Sequence, residues 1–405
     1  MTQQLESWES FTPHRPEFIA DPLPAYRWLR RNAPVFHVES EDIWVLSRHA
    51  DVAAAARDWT RFSQRESVGY SRIKDPRPVL TATDPPLHTE LRRHTAPLFT
   101  PRAVATYRPD AAALLDSLLD PLLETGQSAN FADGVANPYL SRLVGSLMGI
   151  PFEDLPVVKD GATAASLAMA GDYSDEVMAG VKGFQEYFTA FVASWAQQEF
   201  TDEGGKDGVF TRRLFEVTPS GRQLTYEERL AYETLLATGG NETTAQMLSN
   251  LLLTLSEQPA ILERLRREPG LRPAAVEESL RYISPVTGLF RHTACQVTVA
   301  GTVIPEDAKV LLMYGSANHD EARYDRPDDF VIDRFPKGFA DADHLSFTTG
   351  VHVCLGAHLA RMLIDVFFDR MADRVQAIEI TGPVRRSHNA LVRVIDDLPV
   401  RLTPR

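Results

Sequence analysis

A mainly helical chain with a smaller β region drawn from both ends, an α+β arrangement, is what this sequence predicts. Apolar residues three and four apart recur through most of Ala103 to Gln258, the period of helices with one buried face. Short apolar runs of strand-like composition fall near 35–50, 287–312 and 377–402. No repeat or low-complexity tract interrupts the chain. At 405 residues, length alone suggests two or three domains of roughly 150 residues each. Because both termini supply strands, one intertwined domain, 1–405, is expected instead. The longest polar stretch, Thr201–Gly208, reads as an exposed loop between helices.

In chain order, Pro22 to Ala33 reads as a short helix feeding a hairpin. Its arms are Val35–Val38 and Ile43–Leu46, around the turn-like Ser40-Glu41-Asp42. Asp84-Pro85-Pro86 reads as a helix start, with Asp84 placed to cap and proline tolerated in the first turn. From Tyr226 to Leu255 a helical pattern contains the adjacent Gly239 and Gly240, each costing about 1 kcal/mol relative to alanine. Either one helix ends at Gly239 and Asn241 opens another, or a single helix is kinked there to make room. Thr287 to Leu312 is rich in strands and turns, with Cys295 on a strand as ordinary packing. Ala377–Ile380 and Leu398–Leu402 close the chain as strands.

Composition narrows the function. A formal charge of −13 argues against nucleic acid as the general partner. Met1 to Pro16 is polar, with neither signal peptide nor membrane anchor, so a soluble, cytoplasmic protein is expected. The two cysteines, Cys295 and Cys354, form no C-x-x-C pair, which leaves disulfide frameworks, four-ligand zinc and covalent haem attachment poorly supported.

Cys354 stands in Phe347-Thr348-Thr349-Gly350-Val351-His352-Val353-Cys354-Leu355-Gly356, directly before a helical run from Ala357. A helix N-terminus favours the thiolate, the metal-ligating form of cysteine. Gly350 and Gly356 allow a tight turn and close approach of a flat ligand. His352 is placed to meet an anionic group on it. A cysteinate axial ligand to haem iron suits this arrangement.

The F-x-x-G-x-H-x-C-x-G string resembles the haem-binding loop of the cytochrome P450 family, and further segments from Asp21 to Pro404 resemble that family in order and spacing. The resemblance implies a triangular helical haem domain, haem b on Cys354, with Phe347, Gly350 and Gly356 shaping its loop. It implies a monooxygenase fed by NAD(P)H through a reductase and a [2Fe–2S] ferredoxin. Glu278 and Arg281, alone an ordinary i,i+3 surface pair, would with Arg334 lock a helix to the loop preceding the haem ligand. Gly239 takes the alanine position of the family's A-G-x-[D/E]-T, over the haem. Glu242 and Thr243 would be its proton relay. His88 and Arg92, otherwise a solvated helix face, would with Arg291 and His352 bind the haem propionates. Arg92, Arg93, Arg102 and Arg361 would form a basic patch for an acidic redox partner.

Substrate choice in the family resides in its variable segments, here including Leu235, Gly239 and Phe290. Two stretches, Val310–Asn318 and Gly382–Arg386 with Leu398–Pro404, are similar to a subgroup that oxidises para-substituted benzoic acids. The loop Ser63-Gln64-Arg65-Glu66-Ser67-Val68-Gly69 resembles its carboxylate-binding loop. Arg65 would pair with the carboxylate, assisted by Ser63 or Ser67, with Phe290 against the ring; a plain surface arginine is the alternative. Where the subgroup carries a basic residue and a serine, this chain has Thr234 and Leu235. A larger natural-product substrate, or a non-catalytic haem sensor, are the competing readings.

Overall fold

The computed structural model describes residues 8–73, 76–197 and 207–405; the start of the polar N-terminus and nearly all of the 201–208 loop lie outside them. The first expected elements fall where the pattern places them. Helix Leu23–Asn32 leads into antiparallel strands Val35–Val38 and Ile43–Leu46, paired from Val35 opposite Leu46 to Val38 opposite Ile43. A five-stranded sheet then gathers both ends of the chain. Its order is Val35–Val38, Ile43–Leu46, Lys309–Leu312, Leu289–Thr293 and Phe62–Ser63. The Ile43–Leu46 and Lys309–Leu312 strands pair in parallel, and the other neighbours run antiparallel. A second sheet orders Ala129–Asn130, Pro399–Pro404 and Val375–Ile380.

The remaining chain is largely helical, and its centre is the helix Tyr226–Glu257. Thr225 begins it with a capping box: its hydroxyl accepts from Glu228 N–H, and the Glu228 carboxylate accepts from Thr225 N–H. The helix continues unbroken for 32 residues, so the reading in which it stops at Gly239 is wrong. Tertiary packing overrides the two glycines. Helices Asn137–Met148, Leu155–Met169 and Asp175–Trp195 pack around it. Among the described residues no helix is long and apolar enough to cross a membrane.

Two local expectations fail. Asp84 does not cap the helix Leu87–Thr95, because its side chain is drawn elsewhere. Cys295 is not packed in a strand; it lies in the exposed bend after Leu289–Thr293.

One core residue is energetically out of place. Glu233, on the central helix, is 0% exposed and has no cation against it among the described residues. Burial pushes its pKa from 4.5 up to about 8, and the Thr211 hydroxyl eases this only in part. A raised acid pKa means the folded state holds the proton more tightly. Its stabilising effect is therefore full below about pH 4.5 and is lost as pH rises toward 8. Glu233→Gln should gain on the parent chain by up to ~1.4 kcal/mol per pH unit across that window. Urea unfolding at several pH values checks this; a pH-independent difference would contradict it.

Candidate haem-thiolate site

The cysteine loop is held by its own backbone. Thr348 N–H donates to Leu345 O at 2.9 Å and Cys354 N–H to Phe347 O at 3.0 Å. Gly350 takes φ +77°, and a Cβ there would stand 3.0 Å from Arg57 Cα and 3.3 Å from Ala56 O. Its close approach is therefore to the helix His49–Arg57, not to a flat ligand. Gly356 differs: no atom lies within 4 Å of where its Cβ would be. The helix Ala357–Arg374 begins at the next residue. Cys354 is exposed to the space beside it, yet desolvation by the surrounding protein raises its pKa, while the Gly356 N–H and the charges of Arg92 and Arg361 pull it back toward thiolate. Cys354 lines a cavity of about 910 Å³ with Arg92, Phe99, Phe347, Leu355 and Arg361.

A buried ionic hub fixes this loop to the rest of the molecule. Glu278 and Arg281 are both 0% exposed; Arg281 Nε and Nη2 donate to the two Glu278 oxygens, each at 2.8 Å. Arg334 Nε adds bonds of 3.0 and 3.2 Å to the same carboxylate, and Val331 N–H a further one at 2.7 Å. Arg281 Nη1 also donates to Asn318 O at 2.8 Å. Asn318 in turn receives Leu345 N–H at 2.7 Å and donates to Ser346 Oγ at 2.9 Å. The hub thus reaches the first residues of the cysteine loop through one asparagine.

On the central helix, Leu235, Gly239 and Thr243 lie four apart, on one face. Gly239 borders open space, whereas a Cβ on Gly240 would press on Val144 and Leu236 at 3.3 and 3.4 Å. Thr243 Oγ1 donates back to Gly239 O at 2.7 Å. Glu242 turns the other way, toward a polar cavity of about 250 Å³ lined also by Lys159, Gln246 and Asp396. Burial lifts its pKa to about 7, which lets it exist in both protonation states near neutrality.

His88, Arg291 and His352 are buried together, with the His88 and His352 rings 4.3 Å apart. Two unforeseen residues complete this group. Asp84 accepts from Ser63 Oγ at 2.5 Å and His352 Nε2 at 3.0 Å. The Gln64 amide, oriented to satisfy both ends, donates to His352 Nδ1 at 3.0 Å and accepts from Arg291 at 2.6 and 2.7 Å. Asp84 drew notice only as a helix cap, and Gln64 only as a member of the Ser63–Gly69 loop. Arg92 faces no carboxylate among the described residues, and buried His88 Nδ1 has no hydrogen-bond partner. A guanidinium and an imidazole so placed suit a carboxylate-bearing ligand, and Cys354 suits its metal; these residues fit haem.

The substrate residues are corrected most. Arg65 has a side chain 69% exposed, 3.8 Å from Asp84 and on the protein surface. Ser63 is spent on Asp84, and Ser67 Oγ accepts from Gly69 N–H at 3.0 Å within its own turn. Phe290 is 0% exposed and packs edge-on to Tyr70 at 4.8 Å, with Lys309 Nζ 4.4 Å from its ring centre. Strand alternation puts its ring opposite the Arg291 side chain, so Leu289 shares the face of Arg291 instead. The basic patch is also thinner than expected. Arg93 and Arg102 are exposed, but Arg361 is bound by Glu277 at 2.7 and 2.9 Å and sandwiched between Phe339 and Phe347.

Fold and cysteine loop together define a haem-thiolate protein. A profile of the cytochrome P450 family matches residues 271–379. The chain is 33% identical over 400 residues to beta-dihydromenaquinone-9 omega-hydroxylase of Mycobacterium tuberculosis, covering 98% of this chain and 79% of the relative. It is 30% identical over 397 residues to cytochrome P450 CYP199A2 of Rhodopseudomonas palustris, covering 97% and 93%. The structure of CYP109E1 from Bacillus megaterium with testosterone superimposes with a TM-score of 0.82 at 27% identity, covering 96% and 99%. The chain belongs to the cytochrome P450 family, whose members are monooxygenases.

Glu278→Gln would leave Arg281 buried and Arg334 half-buried without their anion, at a cost of ~3–5 kcal/mol. Chemical denaturation should show that loss. A loss below ~1 kcal/mol would mean that the hub is no more than a surface-type pair.

Proposed function

We propose that this chain is a monooxygenase that holds haem b through Cys354 and oxidises a small organic substrate with electrons passed from NAD(P)H by a reductase and a [2Fe–2S] ferredoxin. The observation that carries the reading is Glu242, half-buried on the central helix next to Thr243, lining the polar cavity with its pKa raised to about 7. A carrier or sensor has no use for an acid poised to give and regain protons there. The haem, when bound, supplies dioxygen activation and C–H oxidation. The chain supplies the rest. Cys354 would supply the thiolate that holds the haem iron, within a loop anchored by the Glu278 hub. Arg92, His88 and Arg291 would take the propionate end; His352, expected among them, has both ring nitrogens committed to Asp84 and Gln64 and would stand beside them without an N–H to give. Glu242 collects protons from the side of the polar cavity, and the Thr243 hydroxyl stands on the opposite side, next to Gly239. Exposed Arg93 and Arg102 are the cations left free to steer an acidic partner.

A para-alkoxybenzoate, the finer substrate reading, would lose its alkyl group through oxidation of the carbon beside the ether oxygen. The position of Arg65 removes its expected carboxylate reader, which favours an uncharged or larger apolar substrate. An optical titration decides: ferric enzyme with 4-methoxybenzoate, with its amide, and with a polycyclic apolar ligand. A low-to-high-spin Soret shift with the acid alone would restore the benzoate reading; a shift with the apolar ligand alone is the expected result. Thr243→Ala should keep substrate binding yet divert most electrons to peroxide, a change of roughly tenfold or more in coupling. Unchanged coupling would remove Thr243 from the relay.

A further inference from the structure

The buried chain at the anion-binding end contains an anion of its own. Asp84 is 5% exposed, His352 8%, Gln64 3% and Arg291 1%, so the series Asp84–His352–Gln64–Arg291 is shut off from solvent. Each link is a hydrogen bond of 3.0 Å or less. Directionality follows from the partners. Gln64 donates to Nδ1 of His352, so Nδ1 is an acceptor and Nε2–H donates to Asp84. Asp84 thereby selects the tautomer and the ring angle of a residue that belongs to the cofactor's carboxylate end. Helix capping does not account for Asp84, since no N–H of the helix Leu87–Thr95 reaches its side chain. Nor does the surface pair with Arg65, at 3.8 Å and solvent-exposed, account for a carboxylate turned inward. Burial works against its charge, but the bonds from His352, Ser63 and Gln64 prevail and leave the group readily ionised.

We propose that Asp84 is a positioning residue that fixes His352 and adds a third negative charge beside the two haem propionates, holding the iron toward its ferric state. The physical ground is Coulombic: reduction adds an electron, and a buried anion nearby opposes it more strongly than one in water. The inference rests on the haem-thiolate reading, and the test separates the two. Spectroelectrochemical titrations of the haem-loaded parent, Asp84→Asn and Asp84→Glu are compared at one pH and one ionic strength. The ferrous carbon-monoxide spectrum first reports whether thiolate-bound haem is present at all; its absence in the parent would sink the underlying reading. With haem in place, Asp84→Asn should shift the ferric–ferrous equilibrium toward ferrous by roughly three- to tenfold. Asp84→Glu, which keeps the charge, should stay near the parent. An unshifted Asp84→Asn, or equal shifts in both variants, overturns the proposal. Should Asp84→Asn not hold haem, Gln64→Glu replaces it: an added anion in the same chain should move the equilibrium the opposite way, and no movement overturns the proposal.

Discussion

A single carboxylate, Glu278, organises the part of the molecule on which the chemistry rests. Removing its charge from water costs several kcal/mol, and only dense pairing offsets that. Here two guanidiniums and a backbone N–H converge on it. The geometry is demanding, so it transmits position: helix Arg272–Ile283, the segment around Asp329 and the start of the cysteine loop cannot shift independently. The cysteine loop needs this restraint, because its own backbone hydrogen bonds tie it only to itself. The hub explains why a flexible-looking stretch rich in threonine and glycine presents one thiol in one place.

The charge pattern around that loop follows a second rule. Buried and half-buried cations here are given protein anions where their role is structural and left without them where a ligand is expected. Arg361 is matched by Glu277, and Arg281 by Glu278. Arg92 and His88 Nδ1 are not matched among the described residues. Asp84 is the exception that gives this end its character, since it sets a protein carboxylate against His352 where a ligand's carboxylates are expected.

Much of this was legible in the residues. The hairpin at Val35–Leu46, the helix through Tyr226 and the order of the ligand loop follow from period and motif, which depend on local chemistry. What failed depends on contacts distant in sequence. Asp84 has the composition of a cap, yet His352 lies on the far side of the chain and claims it. Gly350 reads as space for a ligand, yet the space is filled by a helix from the N-terminal part. Phe290 and Arg65 were placed by resemblance alone, and neither strand alternation nor loop burial supports those placements. Gln64 escaped notice because an amide acquires meaning only from its two partners.

The parallel pairing of Ile43–Leu46 with Lys309–Leu312 has a consequence for how the protein is made. On the ribosome the first hairpin emerges long before its third strand. Until Lys309–Leu312 arrives, Ile43–Leu46 presents an unpaired apolar edge, open to neighbouring nascent chains. Closing that contact costs the loop entropy of the intervening chain, which helices between them lower by shortening its effective span. The chain between the two strands is mostly helical, so the span this contact closes is far shorter than its residue count.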